Sequence, residues 1–187
     1  MGYKASMIII ASPAPDVSDE EVLAALGFAD IAFKSETTLE ECIYPRDGTL
    51  NIGRYNGCLI LCDDFRLTVQ LERLQDPSAP AAYELALTHL FPDTEILTVA
   101  CVSTVNAHLY SLVKGGRKLR YKEMNSDGEL SEFGDRLGEE APLYAQSKII
   151  DGQRMFRGFD NTDTSYEYTE DQLMEDFTFG VAKRLLG

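Results

Sequence analysis

The sequence lacks the short motifs that identify the most common nucleotide-binding and hydrolytic sites. It contains no GxxxxGKS/T or GxGxxG loop, so no glycine-rich turn is available to bind a phosphate group through backbone amides. It also contains no GxSxG elbow, so neither Ser103 nor Ser111 is placed as an activated nucleophile. These absences exclude the enzyme classes that a motif alone identifies. Any catalytic site must combine polar residues that lie apart in the sequence.

The cysteine spacing and the hydrophobic runs exclude further classes. The four cysteines show neither CxxC nor zinc-finger spacing, and neither a metal nor a cofactor is expected. Cys58 and Cys62 are four positions apart in a strand-like run, so both face the same side of the strand. With Cys42 and Cys101, they are expected to be structural thiols in a reducing cytoplasm. No apolar run approaches the ~20 residues of a membrane span, and Met7–Ala11 is too short for a secretory signal.

Positive charge is scarce. The 187 residues include 17 Lys and Arg against 31 Asp and Glu, which gives a net charge of −14. Such a surface repels nucleic acid and anionic membranes, so neither is an expected partner. The excess is concentrated between Glu123 and Asp176, where fifteen acidic and four basic residues give a net charge of −11. This distribution is typical of a solvated acidic surface or of a protein that binds a basic partner.

The positive charges that are present cluster in one predicted hairpin. Five of them lie within nine residues, at Lys114, Arg117, Lys118, Arg120 and Lys122. In a regular strand, the last three alternate with apolar residues and therefore share one face. This face, together with Arg117, is a candidate binding site for an anionic ligand. Neutralisation of the same side chains by acidic segments of the chain is the alternative.

Histidine is limited to His89 and His108. His89 falls near the end of a predicted helix, where the helix dipole stabilises a surface imidazole. His108 follows the predicted strand 96–103 and belongs, with Ser103 and Asn106, to a polar segment at a strand end, a common position for catalytic groups. The alternative is an ordinary histidine in a turn or at a sheet edge.

A carboxylate pair ends another apolar strand, CLILC. Carboxylates serve acid–base or metal chemistry when they converge with polar groups from separate elements. If the two strand ends lie together, they bring five polar side chains into one hydrolase-like site: Asp63, Asp64, Ser103, Asn106 and His108.

Turn signals and apolar alternation predict a largely antiparallel sheet. Residues 109–133 read as a three-stranded meander with a tight turn at Gly115-Gly116. Asn56-Gly57 and Asp151-Gly152 mark two further hairpins. The run 96–103 is the most apolar and is expected at the centre of the sheet.

Three helices are expected beside this sheet. Ser18 and Glu21 form a capping box at the start of the first, and the second runs over Ala79–Leu90. Thr169 caps the last helix, with Gln172 as its capping-box partner.

The remaining segments show less regular residue patterns. Residues 28–61 show a β-like pattern, and 134–147 resemble a loop. Residues 65–71 alternate like a strand, which is the preferred interpretation, but Leu67, Leu71 and Leu74 also lie at helical spacing and leave a helix open. The chain is expected to form a single α+β domain over residues 1–187.

The chain resembles a family of small bacterial cytosolic proteins of unknown function. The resemblance rests on the MGYK start, the hairpin Leu109–Lys122 with its SDGE turn at 126–129, and the closing segment FTFGVAKRLLG at 177–187. It implies a bacterial cytosolic α+β protein, and it supplies no catalytic residue.

Three functions are compatible with these observations. The first is a non-catalytic binding protein that presents an acidic surface to a basic protein partner. The second is the small hydrolase-like enzyme described above. The third is a structural subunit of a homo-oligomer, since exposed sheet edges promote self-association.

Overall fold

The computed structural model describes residues 4–13, 16–44, 46–157 and 165–187. The first residues of the MGYK start, Met1 to Tyr3, lie outside the described residues.

A seven-stranded, entirely antiparallel sheet forms the middle layer, with the strand order β2-β3-β1-β4-β5-β6-β7. The fold class is α+β, as the sequence predicts. The strands of this sheet are β1 (Lys4–Ala11), β2 (Leu50–Tyr55), β3 (Cys58–Asp63), β4 (Ile96–Val102), β5 (Ala107–Lys114), β6 (Arg117–Met124) and β7 (Leu130–Gly134).

A second, three-stranded antiparallel sheet has the order β10-β9-β8. Its strands are β8 (Lys148–Ile150), β9 (Gln153–Arg157) and β10 (Tyr166–Thr169). Phe156 of β9 and Tyr168 of β10 pack into the same core cluster as the α-helix that follows them. The small sheet therefore helps to cover one face of the large one.

Among the described residues, six α-helices of very different lengths pack on the large sheet. They are α1 (Asp19–Ala25), α2 (Leu39–Cys42), α3 (Val69–Glu72), α4 (Ala82–Leu90), α5 (Ala141–Ala145) and α6 (Met174–Leu186). The three helices expected from the sequence correspond to α1, α4 and α6. Helix α1 begins with the predicted capping box of Ser18 and Glu21.

The two faces of the large sheet support separate hydrophobic cores. One face, called the α4 face, carries Ile8, Leu61 and Leu109 and is covered by α1, α3 and α4. The opposite face, called the α6 face, carries Ile9 and Tyr110 and is covered by α2, α5, α6 and the small sheet. Because both faces are covered, the central strands are apolar throughout rather than alternating. Strand β4 is the middle strand, as predicted.

The predicted hairpin turns are confirmed by backbone geometry. Asn56-Gly57, Gly115-Gly116 and Asp151-Gly152 each place two successive residues at positive φ, between 48° and 83°. Type I′ turns require this conformation at both central positions, and Gly, Asn and Asp adopt it most easily. The meander 109–133 is therefore formed by β5, β6 and β7.

Three local predictions are wrong. The strand preferred for residues 65–71 is not formed: the chain enters helix α3 at Val69, in agreement with the helical alternative, and Leu71 packs into the core of the α4 face. No strand occurs among the described residues of 28–49, which instead contain α2. Within the predicted loop 134–147, Pro142 occupies the first turn of α5, where proline is tolerated.

Strand β6 contains one irregularity that directs its charged side chains. Val113 pairs with Lys118 and Leu112 pairs with Arg120, so Leu119 is an extra residue with no partner on β5. A β-bulge of this kind shifts the alternation of side chains by one position. Lys118 therefore faces the α4 face, whereas Arg120 faces the α6 face.

Candidate functional site

The polar segment around His108 forms at the end of β4, as expected. Ser103–Val105 make a single 3₁₀ turn, and Asn106 follows in a left-handed conformation with φ of 52°. The Asn106 Oδ1 atom lies 3.1 Å from Nε2 of His108, and the Asn106 Nδ2 group donates to the carbonyl of Asp171 at 3.3 Å. The segment is thereby tied to the start of α6.

His108 itself is buried. Only 3% of its surface is exposed, and its Nδ1 atom has no hydrogen-bond partner among the described residues. Burial lowers the pKa of His108, and the nearby Glu175 carboxylate opposes this shift. Its cross-strand neighbour is Cys101, whose pKa is raised to about 12 by burial. A thiol with so high a pKa remains protonated at neutral pH and is a poor nucleophile.

Asp63 belongs to a buried cluster on the α4 face. Its carboxylate accepts hydrogen bonds from the Ser6 hydroxyl and from the backbone amide of Leu67, the latter at 2.6 Å. The Ser6 and Thr68 hydroxyl oxygens are 3.0 Å apart. The cluster joins β1 and β3 to the turn that leads into α3. Asp63 therefore has a structural role.

Asp64 points away from this cluster. Its carboxylate accepts from the backbone amide of Gly48 at 2.7 Å and forms a two-pronged ion pair with Arg66. These hydrogen bonds lower the pKa of Asp64, against the opposing effect of its partial burial. Asp64 is thus held by neighbouring loops.

The strand order keeps the aspartates apart from His108. Strands β3 and β5 are separated by β1 and β4, and three strand spacings of about 4.8 Å place their backbones roughly 14 Å apart. In addition, Asp63 lies on the α4 face and His108 on the α6 face. The single hydrolase-like site predicted from the sequence is therefore not formed. The side chains of Asn106 and His108 are in contact, Ser103 lies in the adjacent 3₁₀ turn, and the two aspartates do not join them.

The three alternating cations of the basic hairpin do not share one face, because the bulge at Leu119 divides them. They are also buried rather than solvated, with exposures of 6% for Lys118, 1% for Arg120 and 0% for Lys122. Each has acidic partners inside the protein, which is the alternative that the sequence left open. Arg117, at the tip of the hairpin, is exposed.

Lys118 is neutralised on the α4 face by Glu84 of α4. The ammonium group donates to Glu84 Oε2 at 2.6 Å and to the Ser111 hydroxyl at 2.8 Å, and Ser111 donates to Glu84 Oε1 at 2.5 Å. The backbone amide of Ala81 donates to the same carboxylate at 2.7 Å. Both charged side chains are fully buried. Burial lowers the pKa of Lys118, and Glu84 opposes the shift.

Arg120 is neutralised on the α6 face by two carboxylates. Its guanidinium donates to Glu140 at 3.0 and 2.7 Å and to Glu132 at 2.7 Å. A further nitrogen donates to the carbonyls of Phe133 and Gly134. Most of its donors are therefore satisfied, and the guanidinium is not available to an external anion.

Lys122 lies at the centre of a second cluster on the α6 face. Its ammonium group donates to the Tyr144 hydroxyl and to the Glu170 carboxylate, and it lies 4.6 Å from the centre of the Phe177 ring. The Tyr144 hydroxyl also donates to Glu170. Burial lowers the pKa of Lys122 against the opposing effect of Glu170. Across the Tyr144 ring, the Arg136 guanidinium stacks at 3.6 Å from the ring centre.

A cleft of about 200 Å³ opens at the end of the sheet near the 3₁₀ turn. Phe65, Val105 and Leu109 contribute apolar walls, and Glu72 and Glu123 contribute carboxylates. Glu123 is on β6, beside Leu109 of β5, and Glu72 ends helix α3. The cleft therefore combines an apolar interior with acidic groups.

Glu123 acts on the second carboxylate of the cleft. Partial burial and the negative charge of Glu123 raise the pKa of Glu72, and the positive charge of Arg73 opposes this shift. Glu123 accepts a hydrogen bond from the Tyr121 hydroxyl at 2.5 Å, and burial and this carboxylate raise the pKa of Tyr121. In the part of the chain that the structure describes, neither glutamate has a salt bridge. This acidic pair thus differs from the buried Glu84 and Glu140, each of which forms a salt bridge with a buried cation.

The described residues contain neither a candidate metal site nor a candidate membrane span. No group of three or more His, Cys, Asp or Glu side chains is arranged to hold a metal ion there. No helix within the same residues has the length and apolar character needed to cross a bilayer.

Comparison of the chain with protein-family models, with curated proteins and with solved structures finds no match. The resemblance to a bacterial family remains a prediction.

Sequence reasoning missed the acidic pair of the cleft. Glu72 follows a segment that was predicted as a strand, and Glu123 appeared only as one of many acidic residues. The sequence did indicate the contact between Tyr121 and Glu123, because these residues are two positions apart on a predicted strand and therefore share a face. The position of Glu72 beside them depends on α3, which the sequence pattern offered only as the alternative to a strand.

Proposed function

We propose that this protein is a non-catalytic binding protein whose acidic surface receives a basic protein partner, with the Glu72–Glu123 cleft as the point of contact. The observation that carries the proposal is a pair of carboxylates that form no salt bridge among the described residues and lie in a concave, partly apolar site. Of the five side chains expected in a hydrolase-like site, His108 lines this cleft and neither aspartate does.

Internal neutralisation of the basic hairpin strengthens the proposal. Lys118, Arg120 and Lys122 make up three of the 17 basic residues, and all three are buried beside acidic side chains. These buried charges therefore largely cancel one another. The acidic excess of the described residues lies mainly at the surface, where it attracts basic proteins and accelerates their association.

The cleft suits a lysine or arginine side chain. The stem of such a side chain is apolar and its end is charged. Phe65, Val105 and Leu109 would contact the methylene groups, and Glu72 and Glu123 would contact the charged end. A cation placed between the two carboxylates would also relieve their mutual repulsion. The proposed partner is therefore a protein with an exposed basic segment.

Fluorescence anisotropy with a labelled peptide of alternating lysine and alanine tests the proposal. The variant Glu72→Gln/Glu123→Gln removes both charges of the cleft. The matched control Glu20→Gln/Glu40→Gln removes two charges from exposed positions on α1 and α2. We expect the cleft variant to bind about tenfold more weakly, equivalent to about 1.4 kcal/mol. The control should change affinity far less.

Two outcomes would contradict the proposal. Equal weakening of both variants would mean that the peptide responds only to net charge. Unchanged binding by the cleft variant would mean that the peptide binds elsewhere. Raising the salt concentration should weaken binding by the wild type, because screening reduces attraction between exposed charges.

Self-association is a second candidate function, supported by strand β7. This strand is one edge of the large sheet, and it leaves Leu130 and Phe133 exposed at 40% and 37%. An uncovered edge presents unpaired backbone groups to a second strand. Light scattering on the wild type and on Phe133→Lys tests this candidate, which requires a dimer in the first and a monomer in the second.

A further inference from the structure

Two cysteines that are distant in the sequence are in contact within the hydrophobic core of the α6 face. The Sγ atoms of Cys42 and Cys62 are 3.5 Å apart. Cys42 is the last residue of α2 and is half-buried, whereas Cys62 is buried on β3. No sequence pattern indicated this pair, because 20 positions separate the two residues.

The two sulfurs are in van der Waals contact with no atom between them, so only a short approach separates them from a disulfide. A disulfide has an S–S length of about 2.05 Å, so the two sulfurs need to approach by roughly 1.5 Å. Helix α2 is a single turn with exposed residues around it, and it follows a segment without strands among the described residues 28–38. A small movement of this helix is far less costly than a movement of β3, which is bonded to strands on both sides.

We propose that Cys42 and Cys62 form a reversible intramolecular disulfide, with a hydroperoxide as the oxidant. The pair is thereby a modification site that is separate from the acidic cleft. It departs from the sequence-based expectation that all four cysteines are structural thiols.

The reaction balances in two steps. The Cys42 thiolate attacks one peroxide oxygen, the O–O bond breaks, and the leaving hydroxide takes up a proton to become water. This step leaves a sulfenic acid on Cys42. The Cys62 sulfur then attacks the Cys42 sulfur, the S–O bond breaks, and the hydroxyl group leaves as water with the proton of the Cys62 thiol. Two thiols are oxidised by two electrons, and one peroxide is reduced to two water molecules when hydrogen peroxide is used.

The assignment of roles follows from exposure and electrostatics. Cys42 is the more accessible thiol, and the hydrogen bond with Cys62 lowers its pKa. The same contact and burial raise the pKa of Cys62. Since the thiolate is the attacking species, Cys42 reacts first with the peroxide and Cys62 resolves the sulfenic acid.

The disulfide would attach α2 covalently to the large sheet. In the reduced protein, α2 packs on the α6 face through Leu39, Cys42 and Ile43. The bond would close a loop that contains the turn at 46–49, strand β2 and the β2–β3 hairpin. Constraining this loop removes freedom from the unfolded chain, so oxidation should raise the melting temperature.

Hydrogen peroxide at a small molar excess over protein, followed by intact-mass analysis and tryptic mapping, tests the proposal. We expect a loss of two hydrogen atoms, reversed by dithiothreitol, and a linked pair of peptides covering residues 35–46 and 55–66. Because the second peptide also contains Cys58, the mapping uses Cys58→Ser. This variant is a matched control, since Cys58 is a buried thiol on the same strand and face whose sulfur contacts the carbonyl of Leu185.

Cys42→Ser and Cys62→Ala provide the decisive comparison. Both should lose the linked peptides and the oxidation-dependent rise in melting temperature, whereas Cys58→Ser should retain both. Formation of a link that involves Cys58 or Cys101 would overturn the proposal. So would persistence of both thiols while methionines in the same sample are oxidised. Cys42→Ser changes a half-buried residue, so a folded variant is available even if Cys62→Ala is unstable.

Discussion

The two faces of the large sheet neutralise buried cations in different ways. On the α4 face, Lys118 and Glu84 are both fully buried, and Ser111 joins them in a closed group. On the α6 face, Arg120 shares its charge between a fully buried Glu140 and a Glu132 whose side chain is 40% exposed. The first arrangement is closed to water, and the second reaches the surface.

This difference follows from the elements that supply the acids. Glu84 is on α4, a helix of nine residues that packs directly on the sheet. Glu132 is on the edge strand β7, and Glu140 immediately precedes α5. A single bulge at Leu119 assigns neighbouring cations of β6 to these two environments. Lys118 and Arg120 therefore differ in their contribution to stability, because one extra residue in the strand places them on opposite faces of the sheet.

The largest expected effect comes from breaking the closed pair. Lys118→Met leaves the Glu84 carboxylate buried without its cation and should lower the free energy of unfolding by about 3–5 kcal/mol. Adding Glu84→Leu should recover part of this loss, since no charge then remains buried. Urea unfolding of the single and double variants measures both values.

Lys114→Met is the control for this experiment. Lys114 is on the neighbouring strand, and its side chain is 49% exposed and 4.0 Å from Glu95. Its replacement should cost less than about 1 kcal/mol, as for other surface ion pairs. A similar cost for Lys118→Met would show that Glu84 is not an uncompensated charge in that variant. The contrast between the two faces would then be lost.

A smaller effect is expected within the α6 face, where two carboxylates share one guanidinium. Glu140→Gln removes the buried partner of Arg120 and weakens the bond from the Leu137 amide, so it should cost about 2–4 kcal/mol. Glu132→Gln removes the exposed partner and should cost less than about 1 kcal/mol. Chemical denaturation of the two variants measures the ratio. Equal costs would mean that exposure does not distinguish the two acids.

The sequence predicted the parts of this architecture that depend on neighbouring residues. The hairpins at Asn56-Gly57 and Gly115-Gly116 were correct because the positive φ angles are a local requirement. The capping box of Ser18 and Glu21 was correct for the same reason. Even the central position of β4 followed from its own apolar composition.

The charged clusters and the cleft were not predictable in the same way. The bulge at Leu119 moved Lys118 to the opposite face of the sheet, and no residue type in β6 indicates a bulge at this position. The acid that pairs with each cation is 20 or more positions away in the cases of Glu84 and Glu140. Tertiary packing therefore decides which of many acidic residues is a partner. Site prediction from strand ends failed at Asp63 because strand order, not sequence order, sets the distances.

The next effect concerns Gly134 of β7, whose carbonyl accepts a hydrogen bond from Arg120 on the α6 face. Gly134 has φ of 83°, and a Cβ atom at this position would lie 2.0 Å from the Leu119 carbonyl oxygen. Gly134→Ala should therefore displace β7 and weaken the hydrogen bond from Arg120, with a cost of about 1–3 kcal/mol. Gly138→Ala is the control, since no atom lies within 4 Å of its Cβ position. Thermal unfolding compares the two, and equal stability would show that β7 adapts without strain.

The smallest effect concerns the acidic pair of the cleft, which neither face neutralises. The pKa of Glu72 is raised in the folded protein, so the native state binds more protons than the unfolded state between the ordinary pKa and the raised one. Stability should consequently fall as the pH rises through this window.

The substitution Glu72→Gln removes that fall. The variant should therefore be more stable than the wild type near pH 7, by less than about 1 kcal/mol because the residue is exposed, and should converge with it below pH ~4. Urea unfolding at several pH values measures the difference, with Glu20→Gln as an exposed control. A variant that is less stable than the wild type at neutral pH would show that the attraction of Arg73 outweighs burial and the charge of Glu123. The cleft would then resemble the neutralised interior.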